Sequence, residues 1–152
     1  MSVYLDTSVL IPFLFEETGQ PIKAESAKRL FHAIADQQTS GLITFYTLPE
    51  IYAYVVENYV ESQVNETVRV GLVELFRAPL IVKPFVDRVD VEKFRRRFTI
   101  SDASDVLHVA AAVHYGCSAI LTFDHHFAQV ANVIPVYTPN EFLATLKTSN
   151  AN

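Results

Sequence analysis

Ser2-Val3-Tyr4-Leu5-Asp6-Thr7-Ser8-Val9-Leu10-Ile11 starts as a short apolar run, halts at an acid and resumes as an apolar helical stretch. Ala119-Ile120-Leu121-Thr122-Phe123-Asp124 repeats the arrangement much further along: strand-forming residues closed by an aspartate. Between them, apolar runs alternate with longer amphipathic ones, the pattern of β-α units. The chain is therefore expected to be α/β with a parallel sheet. Strands are expected near 2–6, 41–46, 79–83, 119–123 and 133–137, and helices near 8–15, 22–38, 48–63, 66–77, 88–98, 102–115 and 139–147.

The last helix has the clearest start, because Thr138-Pro139-Asn140-Glu141 combines an N-cap, proline at the first helical position and a capping-box glutamate. Gly116 suits the left-handed residue that ends the 102–115 helix. In the 48–63 segment, Leu48, Ile51, Tyr52, Val55, Val56, Tyr59 and Val60 form an apolar stripe broad enough for a core and for a dimer interface. One domain is expected over 1–148, with a frayed tail at 149–152.

At 152 residues, half of them hydrophobic, the chain is long enough to bury a substantial core. No apolar run approaches the roughly 18–20 residues of a membrane span. Asp6 interrupts the one candidate signal segment. A single cysteine, Cys117, excludes an internal disulfide and fits a reducing cytoplasm. The net charge of −5 argues against a nucleic-acid partner unless cations offset part of it.

Four acids sit where such a chain leaves its sheet: Asp6, Glu50, Asp105 and Asp124. If the strands are parallel, their carboxyl ends share one edge, where open α/β sheets bind ligands. Carboxylates gathered there repel one another unless a cation lies between them, and hard divalent ions match all-oxygen sites. The pattern points to metal-dependent phosphodiester hydrolysis, with water activated by Mg²⁺ or Mn²⁺ and no side-chain nucleophile. Ser8 or Thr7 beside Asp6, and Thr122 before Asp124, are candidates to orient these acids.

Each acid also has a plainer explanation. Asp6 suits an N-cap, Glu50 lies at capping-box spacing from Thr47, and Asp102 and Asp105 favour the positive end of a helix. Asp124 suits the cap of a turn through His125-His126-Phe127. Caps need not converge in space, whereas catalysis requires it.

Leu5-Asp6-Thr7-Ser8-Val9-Leu10-Ile11, Thr47-Leu48-Pro49-Glu50, Asp105-Val106-Leu107-His108-Val109-Ala110-Ala111-Ala112 and Leu121-Thr122-Phe123-Asp124-His125-His126-Phe127 together resemble the PIN-domain nucleases. Within them the order and spacing are similar to the VapC-type toxins of toxin–antitoxin pairs. The resemblance implies a three-layer α/β/α sandwich with a mainly parallel sheet, Mg²⁺ or Mn²⁺, endonucleolytic RNA cleavage, dimers and a cognate antitoxin. It implies catalytic roles for Asp6, Glu50, Asp105 and Asp124, with Asp6, Asp105 and Asp124 as metal ligands. Ser8, Asp102 and Thr122 would support them, Asp102 being either a helix cap or a peripheral ligand.

His108, one turn beyond Asp105, reads either as a group near the site or as a satisfied core histidine. His125 and His126, beside Asp124, read either as contacts to a phosphate or, more simply, as solvent-facing turn residues, and no zinc motif is present. Lys93-Phe94-Arg95-Arg96-Arg97, with Arg88 upstream, is the densest basic stretch. Val91, Phe94 and Phe98 give its helix an apolar face, so the cations cover the solvated one. Arg95, Arg96 and Arg97 are the candidate contacts to an RNA backbone or to an acidic stretch of an antitoxin. The rival reading keeps the fold without turnover, as a catalytically inactive RNA- or protein-binding module whose acids are caps. A phosphoacceptor or phosphatase domain ranks last, since the adjacent acidic pair such sites commonly show is missing.

Overall fold

The computed structural model describes residues 2–15 and 19–149. The chain runs β1 (Ser2–Leu5), α1 (Thr7–Leu14), α2 (Pro21–Ala35), β2 (Ser40–Thr44), α3 (Thr47–Asn58), α4 (Glu61–Arg77) and β3 (Ile81–Lys83). It continues through α5 (Arg88–Arg95), α6 (Ala103–His114), β4 (Ile120–Leu121), a 3₁₀ segment His125–Val130, β5 (Val136–Tyr137) and α7 (Pro139–Ser149). All four strand pairings are parallel, in the order β3-β2-β1-β4-β5.

Alternation along the strands creates the three layers. Val3, Leu5, Ile43 and Leu121 point into one buried cluster with Leu10, Leu30, Val55 and Leu75 from α1, α2, α3 and α4. Tyr4, Leu42 and Ile120 point the other way, into a second cluster with Val106 and Val109 of α6 and Phe127. The expected α/β/α sandwich is the observed architecture.

From β1 the chain winds outward to β3, then crosses back so that β4 docks on the other side of β1. The direction of winding therefore reverses between β1 and β4, and a crevice opens beyond the carboxyl ends of strands at such a point. Leu5 pairs with Leu121, so Asp6 and Thr122 leave adjacent strands side by side.

One expected boundary between two helices moves. The 48–63 helix stops at Asn58; Tyr59 and Val60 are extended, and α4 begins at Glu61. Tyr59 turns its ring toward Phe15, which helps fold α4 back onto α3. The apolar stripe is thereby apportioned: Ile51 and Val55 are buried, while Tyr52, Val56 and Val60 are about half exposed or more. At Gly71 in α4 an added Cβ would lie 2.8 Å from the Phe15 ring, so this close crossing requires glycine. Gly116 has φ +67° just past α6, as expected for the residue after a helix end. The Thr138–Glu141 capping box forms, with Thr138 N–H donating to Glu141 Oε2 at 2.7 Å. Ser149 belongs to α7. The rest of the expected tail, 150–152, lies outside the described residues.

Candidate active site

Asp6 caps α1 and is 5 % exposed. Its Oδ2 accepts three hydrogen bonds: from Ser8 N–H at 3.2 Å, Ser8 Oγ at 2.5 Å and Thr122 Oγ1 at 2.8 Å. No described residue donates to Oδ1. One oxygen is thus fixed by the protein, and the other is available to a ligand. Capping and ligation do not compete here, because each uses a different oxygen.

Asp105 lies in the first turn of α6 and is buried, yet its carboxylate receives no hydrogen bond from the described residues. Burial pushes its pKa up to about 6, and the charges of Asp102, Asp6 and Asp124 add to the effect. A buried carboxylate without donors, facing other carboxylates, is the arrangement a hard cation relieves. Asp124 caps the 3₁₀ segment through His126 N–H at 2.8 Å, while its own N–H donates to Thr122 Oγ1 at 2.9 Å. Asp102 is the N-cap of α6, accepting from Ser104 N–H and Ser104 Oγ at 2.7 Å each. Those bonds hold its carboxyl below the usual range.

Glu50 is held differently from its capping alternative. The Thr47 capping box does not form, because Thr47 already lies inside α3 and its hydroxyl donates to Thr44 O at 2.9 Å. Glu50 Oε2 accepts instead from the Thr7 hydroxyl, and both Glu50 oxygens lie 3.0 Å from His108 Nε2. Burial works against ionisation, but the hydrogen bond and charge of His108, with Thr7, hold the Glu50 carboxyl below its ordinary range. The two hydroxyls after β1 thus divide their work: Ser8 serves Asp6, and Thr7 serves Glu50.

The ligand atoms of Asp124, His125 and His126 come within 4.8 Å of one another, a juxtaposition the sequence reading passed over. Both histidines are nonetheless largely solvent-facing, as expected. Arg95, Arg96 and Arg97 are exposed around the end of α5, whose Val91 packs against the second cluster while Phe94 meets the His114 ring edge-on. Arg88, Lys93 and Arg96 line a cavity of about 470 Å³. A cleft of about 590 Å³ beside α1 and α4, lined by Phe13, Phe15, Tyr59 and Val70 together with Glu66, Thr67 and Glu74, contains none of these acids.

The fold defines an α/β class: a parallel sandwich whose acids leave the sheet where its winding reverses. A family model described as PIN domain matches residues 2–126. The chain belongs to the PIN domain family. Solved structures similar to it include VapBC2 from Rickettsia felis bound to a promoter DNA fragment (TM-score 0.65, 15 % identity), with 91 % of this chain and 98 % of that one covered. VapC20 from Mycobacterium tuberculosis, a sarcin-ricin loop cleaving toxin, matches with TM-score 0.64 and 14 % identity over 88 % of this chain and 98 % of that one. DNA-bound VapBC from Salmonella typhimurium matches with TM-score 0.63 and 17 % identity over 91 % and 98 %. No curated protein sequence matches the chain.

Proposed function

We propose that this chain is a divalent-cation-dependent endoribonuclease and the toxin of a type II toxin–antitoxin pair. The observation that carries the reading is the contrast between Asp6, with one oxygen tied down by Ser8 and Thr122, and the buried Asp105, whose carboxylate has no donor. Asp6, Asp105 and Asp124 would hold Mg²⁺ or Mn²⁺. When bound, such an ion offsets the charge that carboxylates and phosphate bring together and makes water acidic enough to attack phosphorus.

The chain's own groups account for the rest. Ser8 and Thr122 keep the Asp6 carboxylate from rotating. Glu50 stays ionised at neutral pH and offers an acceptor that can orient the attacking water in line with the scissile bond. Arg95, Arg96 and Arg97 supply positive charge for the RNA backbone. Arg97 precedes Asp102 by five residues, which bounds their separation at about 18 Å even in extended chain.

The fold shared with VapC20 and with VapBC complexes supports the toxin assignment and a protein antitoxin as partner. The exposed Tyr52, Val56 and Val60 support a homodimer. No described helix is long and apolar enough to cross a membrane, which agrees with a cytoplasmic site of action.

The test is cleavage of a structured RNA pool with Mg²⁺ or Mn²⁺, wild type against Asp6→Asn. Wild type should cut and be silenced by a chelator, and Asp6→Asn should lose about 100-fold or more in rate. Equal activity of the two proteins would remove the mechanism.

A further inference from the structure

His108 is 1 % exposed, and both ring nitrogens are engaged. Nδ1 lies 2.7 Å from the Tyr4 hydroxyl, and Nε2 lies 3.0 Å from each oxygen of Glu50. An ionised carboxylate only accepts, so Nε2 carries a hydrogen and donates. Tyr4 is buried and its hydroxyl also lies 2.8 Å from Thr44 Oγ1. With a neutral ring, Tyr4 donates to Nδ1 and accepts from Thr44; with a charged ring, both bonds reverse. Every polar atom keeps a partner in either state, without movement of a heavy atom.

The ring plane is also fixed. Tyr4 and Tyr46 meet it edge-on, with centroids 5.7 and 6.1 Å away. A glutamate side chain has three rotatable bonds, and Thr7 engages only one of its oxygens. His108 bonds both, from a ring that burial and two tyrosines hold still.

We propose that His108 is a positioning residue: braced by Tyr4 from the sheet, it sets the angle at which Glu50 presents its carboxylate to the acidic edge. The role rests on the nuclease reading, in which Glu50 orients water. A reacting group displaced by about 1 Å can lose on the order of 100-fold in rate, so a rigid brace at this point matters for turnover.

The experiment compares full-length wild type, His108→Leu, His108→Gln and Tyr4→Phe for RNA cleavage, thermal unfolding and imidazole ¹⁵N NMR. His108→Leu should lose about 10–100-fold in kcat with KM changed less than about threefold. His108→Gln, whose amide N–H reaches toward Glu50, should recover most of the loss. Folded His108→Leu with wild-type kcat, or His108→Gln no better than His108→Leu, would overturn the proposal. Where His108→Leu does not fold, Tyr4→Phe decides: it removes only the brace hydroxyl and should lower kcat several-fold, whereas a folded variant with unchanged kcat sinks the idea.

The NMR arm is independent of cleavage. Wild-type His108 should show a protonated Nε2 whose resonance shifts in Glu50→Gln, and a freely exchanging ring insensitive to that change contradicts the brace. Failure of wild type to cut RNA, with this signature intact, would refute the nuclease reading and leave the contact with Glu50 standing.

Discussion

Thr122 Oγ1 donates to Asp6 Oδ2 at 2.8 Å, a hydrogen bond that crosses from β4 to β1 where the winding of the sheet reverses. The same hydroxyl accepts the Asp124 N–H at 2.9 Å, so one side chain ties two of the site's acids together. Thr122 is 3 % exposed, leaving little solvent to replace it.

Thr122→Val keeps the shape and removes that tie. Stability should fall by about 1–3 kcal/mol, because a charged acceptor and a backbone donor lose their partner. Cleavage should fall about 10–100-fold. Chemical denaturation and single-turnover kinetics measure the two; unchanged values for both would show that the bond orients nothing.

Asp105 makes the metal-free protein less stable at neutral pH than in mild acid. Its folded pKa, about 6, lies above the ordinary value of 3.8, so the folded state holds a proton that the unfolded state releases. Stability from this group is fully present below about pH 4 and is lost as pH rises toward 6. Allowing for solvent screening, metal-free wild type should lose on the order of 1 kcal/mol relative to Asp105→Asn between pH 4 and 7. Parallel pH profiles of the two proteins in chelator would refute this, and added Mn²⁺ should cancel the loss in wild type.

The arginines at the end of α5 should act through charge. In an Asp6→Asn background, replacing Arg95, Arg96 and Arg97 with alanine should weaken RNA binding and reduce the slope of log affinity against log salt by about 2, at roughly 0.7 per phosphate contact. Fluorescence anisotropy over a salt series gives the slope. An unaltered slope would place the RNA elsewhere.

Gly71→Ala adds a methyl group 2.8 Å from the Phe15 ring. Alanine's better helix propensity offsets up to about 1 kcal/mol, and overpacking costs about 1–3. The variant should be less stable in a denaturant titration; greater stability would mean that Phe15 moves aside freely.

Much of this site was legible in the sequence because strand ends announce themselves. Val3-Tyr4-Leu5 before Asp6 and Ile120-Leu121 before Thr122 are apolar on both faces, so the acids that follow had to emerge at the sheet's edge. The hydroxyls beside Asp6 were equally visible, although their division between Asp6 and Glu50 depends on how α3 packs against α1. The capping alternative for Glu50 fails for a reason spacing alone does not show, since Thr47 bonds back to Thr44. The break between α3 and α4 falls at Tyr59 and Val60, ahead of the expected gap at 64–65, although both residues continue the helical apolar period. His108 left two readings open, and only the packing of β1, β2, α3 and α6 shows that its ring bridges Tyr4 and Glu50.

The register of β4 against β1 also orders events during synthesis. Asp6 is made early, but its Thr122 partner and Asp124 follow more than a hundred residues later. A growing chain still short of β4 carries Asp6, Glu50 and Asp105 but lacks Asp124 and the Thr122 hydroxyl that ties Asp6 in place. Asp6 and Asp124 are thus joined through Thr122 only after the fourth strand has emerged and docked.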